Sequence, residues 1–222
     1  KDRSVWLLVD QRISMFFGSG QRMKSVTAAE ASAAACWRVL SQGDRVGAVI
    51  FDDADLAVIP PQRSEDSVTH ILKKVVEKNH ALNAASPAEP NPGMLNRTLR
   101  RVSELARHDC LVCLISDGYG IDEDTRRHVT RLTQHNDVLS VFVFDPLEQD
   151  LPDVGSLVFS DGRTQLAFDT AERRKREAFR HDFQQRLEQM MATSRRHAIP
   201  LLPVSTAAPV LEQVRETLGR HR

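Results

Sequence analysis

No stretch of this chain is apolar for long enough to cross a bilayer: the longest runs, 46–51 and 111–115, fall far short of the roughly 20 residues a spanning helix needs. Charge of one sign is also missing, with 30 Lys and Arg against 30 Asp and Glu, so no overall field gathers nucleic acid or anionic lipid. Neither a nucleic-acid partner nor membrane contact from this segment is expected. Cysteine is scarce and odd in number, three in 222 residues, which argues against a disulfide framework and fits a reducing, cytoplasmic setting. Ten Gly and ten Pro are too few for a collagen-like or low-complexity chain. No His-x-x-x-His spacing offers zinc two ligands on one helix face, and no Gly-x-Ser-x-Gly elbow presents a nucleophilic serine. Gly18-Ser19-Gly20 begins like a dinucleotide fingerprint, but Met23 occupies the third glycine position, so it reads as a loop. Cys110 and Cys113 have redox-motif spacing inside an apolar strand, where residues three apart face opposite ways and no helix N-terminus activates a thiolate.

What is present is an alternation of short apolar runs and helical periods. Val5 to Val9, ending in Asp10, has the pattern of a strand buried on both faces. A helix is predicted over 25–40 through Val26, Ala29, Ala33, Cys36, Trp37 and Leu40. Strands over 45–51 and 54–59, separated only by Asp52-Asp53, form a hairpin that Pro60-Pro61 ends, so one edge strand is antiparallel. Ser64-Glu65-Asp66-Ser67 opens a helix through Val68, Ile71, Leu72, Val75 and Val76. A proline-rich loop over 84–93 leads to a helix over 94–106, a strand over 110–115, a helix over 122–133 and a strand over 138–144. A small β-hairpin insertion at about 155–168 turns at Asp161-Gly162-Arg163. A long polar helix over 170–196 carries Phe179, Phe183, Leu187, Met190 and Met191 on one face, before a strand over 199–204 and a helix over 209–218. Its basic start, Arg173 to Arg176, is flanked by Glu172 and Glu177 and reads as a solvated helix face. The fold class is α/β, a single Rossmann-like domain over 1–222 whose doubly wound sheet is mostly parallel.

In such a sheet ligands bind beyond the carboxyl ends of the strands, where the strand order reverses. That rule points to Asp10, Asp117 and Asp145, and the first two with Ser14 and Ser116 supply oxygens of the kind that suit Mg2+. An Asp after a buried strand is also the nucleophile of phosphoryl-transfer enzymes of the haloacid dehalogenase type, but the second acid they need two residues later is Arg12 here.

Asp10 with Ser14 resembles the start of the Asp-x-Ser-x-Ser metal-ion-dependent adhesion site of the von Willebrand factor A fold. The resemblance narrows over most of the chain. Trp6-Leu7-Leu8-Val9-Asp10 with Ser14-Met15-Phe16-Phe17-Gly18, Gly43-Asp44-Arg45-Val46-Gly47, Asp145-Pro146-Leu147-Glu148 and Asp169-Thr170 before an Arg-rich helix are similar to domain-of-unknown-function family fifty-eight. That resemblance implies a von Willebrand factor A-like adaptor encoded beside a MoxR-type AAA+ ATPase and acting in chaperone-like assembly or maturation. It also implies a segment upstream of the first strand, and a chain that opens on Lys1 leads to the same expectation.

Carried over residue by residue, the metal site falls on Asp10, Ser14 and Asp117, but Arg12 stands where the first serine belongs. Neither Gly93 nor Met94 offers the hydroxyl expected near the start of the third helix. A cation ~4 Å from a dication repels it by several kcal/mol at intermediate dielectric. The site is therefore expected to be degenerate, with Arg12 pairing Asp10 or Asp117 in the metal's place and no cofactor required. A site holding Mg2+ on Asp10, Ser14 and Asp117 is the alternative. No catalysis is expected. The partner is expected to dock on a rim formed by Arg12, Met15, Phe16, Gly93, Met94, Gly118 and Tyr119.

Overall fold

β1, Ser4–Asp10, is the hub of a six-stranded sheet, because a run whose last six residues are all buried must be covered on both faces. The computed structural model describes residues 2–20, 22–82, 89–160 and 165–219. β1 pairs in parallel with β2, Arg45–Phe51, on one side and with β4, Leu111–Ser116, on the other. β2 turns back into the antiparallel edge strand β3, Leu56–Gln62, while β5, Asp137–Phe144, and β8, Leu201–Ser205, extend the other side in parallel. The spatial order 3-2-1-4-5-8 reverses between β1 and β4. The crevice that this reversal opens at their carboxyl ends is flanked by Asp10 and by Ser116-Asp117.

Alternation along the strands sorts their side chains into two cores. Val5, Leu7, Val9 and Cys113 meet α1, Lys24–Ser41, α2, Glu65–Ala81, and α7, Val210–Gly219, while Trp6, Leu8, Cys110 and Val112 meet α3, Gly93–Leu105, and α4, Glu123–Thr133. Cys110 and Cys113 thus lie on opposite faces, and burial pushes the Cys36 and Cys113 thiols up to about 12, far from any reactive thiolate. A four-residue helix, α5, Pro146–Gln149, follows β5, and the long α6, Arg173–His197, closes the end of the sheet with Phe183 and Met190 against Phe142. β6, Ser156–Ser160, and β7, Gln165–Asp169, pair as the expected separate hairpin, whose turn residues lie outside the described ones. The basic start of α6 is solvated at Arg173 to Lys175, with exposed pairs of Arg173 to Glu177 and Lys175 to Glu172, whereas Arg176 turns inward to the Thr170 and Ala171 carbonyls and to Asp153. No helix among the described residues is long and apolar enough to cross a membrane.

The structure departs from the sequence reading at several places. β3 does not end before Pro60-Pro61 but runs through both to Gln62, with a register shift opposite Gly47. An edge strand tolerates proline because its outward N–H needs no partner, and a Cβ at Gly47 would lie 2.6 Å from the Ile59 carbonyl oxygen and the Pro61 nitrogen. The strand also starts later than 54, because the Asp52 carboxylate accepts from the Ala54 and Asp55 amides and holds them in the turn. Trp37, Val76 and Met191 stand 45%, 46% and 40% exposed instead of facing the core. In α1 the buried stripe is made of small side chains, Ala28, Ala31, Ser32 and Cys36, which bring the helix close to the sheet and leave the indole outside.

Candidate functional site

Three carboxylates and three cations converge beyond the carboxyl ends of β1, β4 and β5. Asp10 ends β1 and is wholly buried, as is Arg12 two residues later. The pair is bidentate: Arg12 Nε donates to Asp10 Oδ1 at 2.9 Å and Nη2 to Oδ2 at 2.6 Å. Ser116 Oγ donates to the same Oδ2 at 2.7 Å, and the Arg12 amide to Oδ1 at 3.1 Å. The guanidinium sits 5.3 Å from the Phe51 ring centre and 5.6 Å from that of Tyr119, and Nη2 also donates to the Tyr119 carbonyl at 2.9 Å. The expected Arg12–Asp10 pair is therefore present, and it ties β1 to the loop after β4.

Asp117 takes a different cation. Lys24, the first residue of α1, is buried and its Nζ donates to Asp117 Oδ2 at 2.9 Å and to Glu148 Oε1 at 2.8 Å. Arg186 of α6 closes the far side, with Nη2 2.9 Å from Glu148 Oε1 and Nη1 3.5 Å from Asp117 Oδ2, donating also to the Asp117 carbonyl. The other Asp117 oxygen accepts from the Tyr119 amide at 3.0 Å and from Ser14 Oγ at 3.4 Å. The second Glu148 oxygen accepts from the Asp145 amide at 2.9 Å, half of a capping box that starts α5.

Two further acids pin the surrounding loops. Asp53 accepts from the Ile13 amide at 2.6 Å and the Asn91 amide at 2.7 Å, which joins the β2–β3 turn to the segments before α1 and α3. Asp145 accepts from the Ser19 and Leu147 amides, at 2.8 and 2.9 Å, and from Thr206 Oγ1. Gly120, at φ +82°, lets Pro92 pack on the loop after β4; a Cβ there would lie 2.7 Å from the Pro92 carbonyl oxygen.

Burial alone would raise the Asp117 pKa, but the charges of Lys24, Arg186 and Arg12 outweigh it and hold the carboxyl well below the usual carboxylate range. For Lys24, burial opposes the charge, while Asp117 and Glu148 outweigh burial and hold the ammonium above its ordinary value. A depressed carboxyl contributes stability above its unfolded pKa of about 4 and loses it as pH falls toward the folded value; a raised lysine contributes below about 10.4 and loses it above. The melting temperature is therefore expected to be level between about pH 5 and pH 9 and to fall on either side. Asp117→Asn should flatten the acid limb in calorimetry across pH, whereas an unchanged acid limb would assign it to other carboxylates.

The sequence-predicted residues divide cleanly. Asp10, Arg12, Ser14, Asp117 and Tyr119 are brought together, and Gly93 is exposed beside them at the start of α3. Four rim assignments are corrected. Arg12 is sealed inside, Met15 is fully buried in the core beneath α1, and Met94 lies on the sheet-facing stripe of α3 with Leu95 and Leu99. Gly118 is covered by α6, where a Cβ would lie 2.7 Å from Met190 Sδ. Phe16 is half-buried. Lys24, Glu148, Arg186 and Asp53 were not assigned to the site from the sequence, though two of them left signals. Arg186 interrupts the Phe183–Met190 stripe of α6 with a charge, and Glu148 stands three residues after Asp145 at capping-box spacing.

The Mg2+ that the adhesion-site resemblance suggests does not fit these residues. Each oxygen of Asp10 and Asp117 already meets two donors. The unsatisfied buried side-chain atom at the site is Arg12 Nη1, a donor, whereas a dication needs spare acceptors. Among the described residues no three His, Cys, Asp or Glu side chains are grouped as metal ligands.

Comparison with known proteins bears on the fold and the family. The family model described as "Protein of unknown function DUF58" matches residues 1–201. "Uncharacterized protein Rv1480" of Mycobacterium tuberculosis (strain ATCC 25618 / H37Rv) is 26% identical over 164 residues, 74% of this chain and 50% of its own length. "Uncharacterized protein Mb1516" of Mycobacterium bovis matches to the same extent, so the chain spans about half the length of these relatives. Among solved structures, the conserved hypothetical protein BatB from Bacteroides thetaiotaomicron superposes with a TM-score of 0.57 at 10% identity, covering 98% of each chain. An aerotolerance-related membrane protein from Bacteroides fragilis gives 0.55 at 12% identity over 97% of each chain. The SpRpn10 VWA domain gives 0.50 at 10% identity, over 97% of this chain and 95% of its own. At these identities the likeness is one of fold: the von Willebrand factor A arrangement.

Proposed function

Because the chain belongs to the DUF58 family of proteins of unknown function and has a von Willebrand factor A fold, we propose that this domain is a non-catalytic protein-interaction module. Its partner is a MoxR-type AAA+ ATPase, and the pair acts in the cytoplasm in chaperone-like assembly or maturation. One observation supports the reading above all: the acids at the carboxyl ends of β1 and β4 are spent inward. Asp10 and Asp117 have every oxygen occupied by the chain's own donors, which leaves neither a free nucleophile nor a free base there. The loops around them are instead locked by Asp53 and Asp145 into a fixed surface. A rigid rim costs little ordering on association. Its outward residues are Ser19, Asn91, Pro92 and Gly93, with Tyr119 half-exposed between them and the buried pair.

The test is a pull-down from source-cell lysate with the domain as bait, with an ATP analogue, in Mg2+ and in EDTA. The wild type should recover an AAA+ ATPase. Ser19→Arg with Gly93→Arg, at two exposed positions, one in the loop before α1 and one at the first residue of α3 where a Cβ meets Asn91 Oδ1 at 3.3 Å, should lower recovery by about tenfold with little change in melting temperature. Equal recovery by the variant would displace the binding surface from this rim, and absence of any ATPase would remove the partner. Turnover of generic phosphate esters that Asp10→Asn abolished would overturn the non-catalytic reading.

A further inference from the structure

An ion held between carboxylates must find lone pairs that nothing else has claimed, and each oxygen of Asp10 and Asp117 is already met by cations, hydroxyls or amides of the chain. The most informative of these is Lys24. It stands in the first turn of α1, where the helix dipole disfavours positive charge, and its side chain is 2% exposed. A lysine is retained in such a place only with strong compensation. Here the compensation is two carboxylate oxygens, Asp117 Oδ2 at 2.9 Å and Glu148 Oε1 at 2.8 Å, with the Phe17 ring 5.7 Å away. An ammonium is a compact point charge, the side-chain group nearest in shape to a bare metal ion. The planar Arg12 meets Asp10 through a fork instead, and Arg186 caps the Asp117–Glu148 pair from α6.

We propose that Lys24 and Arg12 together are the resident cations of this centre, Lys24 bridging Asp117 and Glu148 and Arg12 neutralising Asp10, so that they hold the rim in its working geometry and exclude divalent ions. The exclusion stands on the ion-pair geometry. Its consequence, that association with the partner proceeds equally in Mg2+ and EDTA, rests on the interaction-module reading.

The experiment needs no partner. Mn2+ is titrated into the wild-type protein and followed by electron paramagnetic resonance and by thermal melting against EDTA. The same measurements are made on Arg12→Ser/Lys24→Met, which restores the serine of the Asp-x-Ser-x-Ser pattern and removes Lys24 from Asp117, leaving Arg186 at 3.5 Å. The wild type should leave the Mn2+ signal and its own melting temperature unchanged, while the double variant, less stable in EDTA, should regain several degrees on adding Mn2+. Binding of Mn2+ by the wild type overturns the proposal. So does a folded double variant that ignores Mn2+, because the two cations would then not be what keeps the ion out. Should the double variant fail to fold, Arg12→Ser and Lys24→Met are titrated singly in its place, and if neither takes up Mn2+ the proposal is overturned. An ATPase missing from the pull-down would defeat the partner reading and leave this result standing.

Discussion

Lys24→Met is expected to destabilise the domain by about 3–5 kcal/mol, because it leaves two buried carboxylates facing each other with one partner fewer. Asp117 and Glu148 are both nearly inaccessible, with 1% and 2% of their side chains exposed. Arg186 remains, but it reaches Asp117 only at 3.5 Å and is shared with Asp182. For a chain of this length a loss of that size lowers the melting temperature by roughly 6–20 °C. Chemical denaturation checks the energy and calorimetry the temperature. A loss below about 1 kcal/mol, the scale of an exposed ion pair, would mean that water reaches Lys24 and that the centre is open. Glu148→Gln offers a check on direction. It keeps the shape but has a single acceptor oxygen, which can serve either Lys24 and Arg186 or the Asp145 amide, so it too should destabilise the domain, by loss of one charge and of one side's hydrogen bonds.

The second large effect is non-additivity at Asp10 and Arg12. Arg12→Met alone leaves a fully buried carboxylate with the Ser116 hydroxyl and a backbone amide as donors, and Asp10→Asn alone leaves a buried guanidinium whose charge has lost its nearest counter-ion. Each single change should cost about 3–5 kcal/mol. The double variant removes both charges together and should cost little more than either single change, giving a coupling energy of about 2 kcal/mol or more. Additivity within about 0.5 kcal/mol would contradict a closed pair. Because Arg12 also donates to the Tyr119 carbonyl and lies between the Phe51 and Tyr119 rings, the double variant should still loosen the loop after β4. Faster hydrogen exchange at 118–121 would show it.

Much of this protein is legible in its sequence. Strands buried on both faces announce themselves as unbroken apolar runs, and their alternation with helical periods of 10 to 16 residues leaves few topologies besides a doubly wound sheet. The place where the charged side chains gather followed as well, because Asp10 and Asp117 stand at the ends of adjacent parallel strands at the reversal of strand order. Arg12 was readable as a misfit to a metal pattern, since a fixed cation two residues from Asp10 cannot stay far from its carboxylate. Less legible was which apolar residues face inward. Met15 and Met94 looked like anchors and are core, whereas Trp37 looked like core and stands outside. Helical spacing gives the period of a stripe, and the face that is buried depends on how near the neighbouring element comes.

Composition and pattern alone determined the sheet, its central strand, the antiparallel edge and the end of the sheet where loops and charges gather. Those features depend on interactions between near neighbours in sequence and on rules of chain connection that hold for any such sheet. Only the tertiary structure decided what fills the centre. Lys24 meets Asp117 across 93 positions and Glu148 across 124, and Arg186 arrives from a helix 69 positions after Asp117. No local period links such residues, because each occupies the first turn or buried stripe of its own helix for reasons that its own segment does not show. Their charges become informative only when packing excludes water and makes each depend on the others.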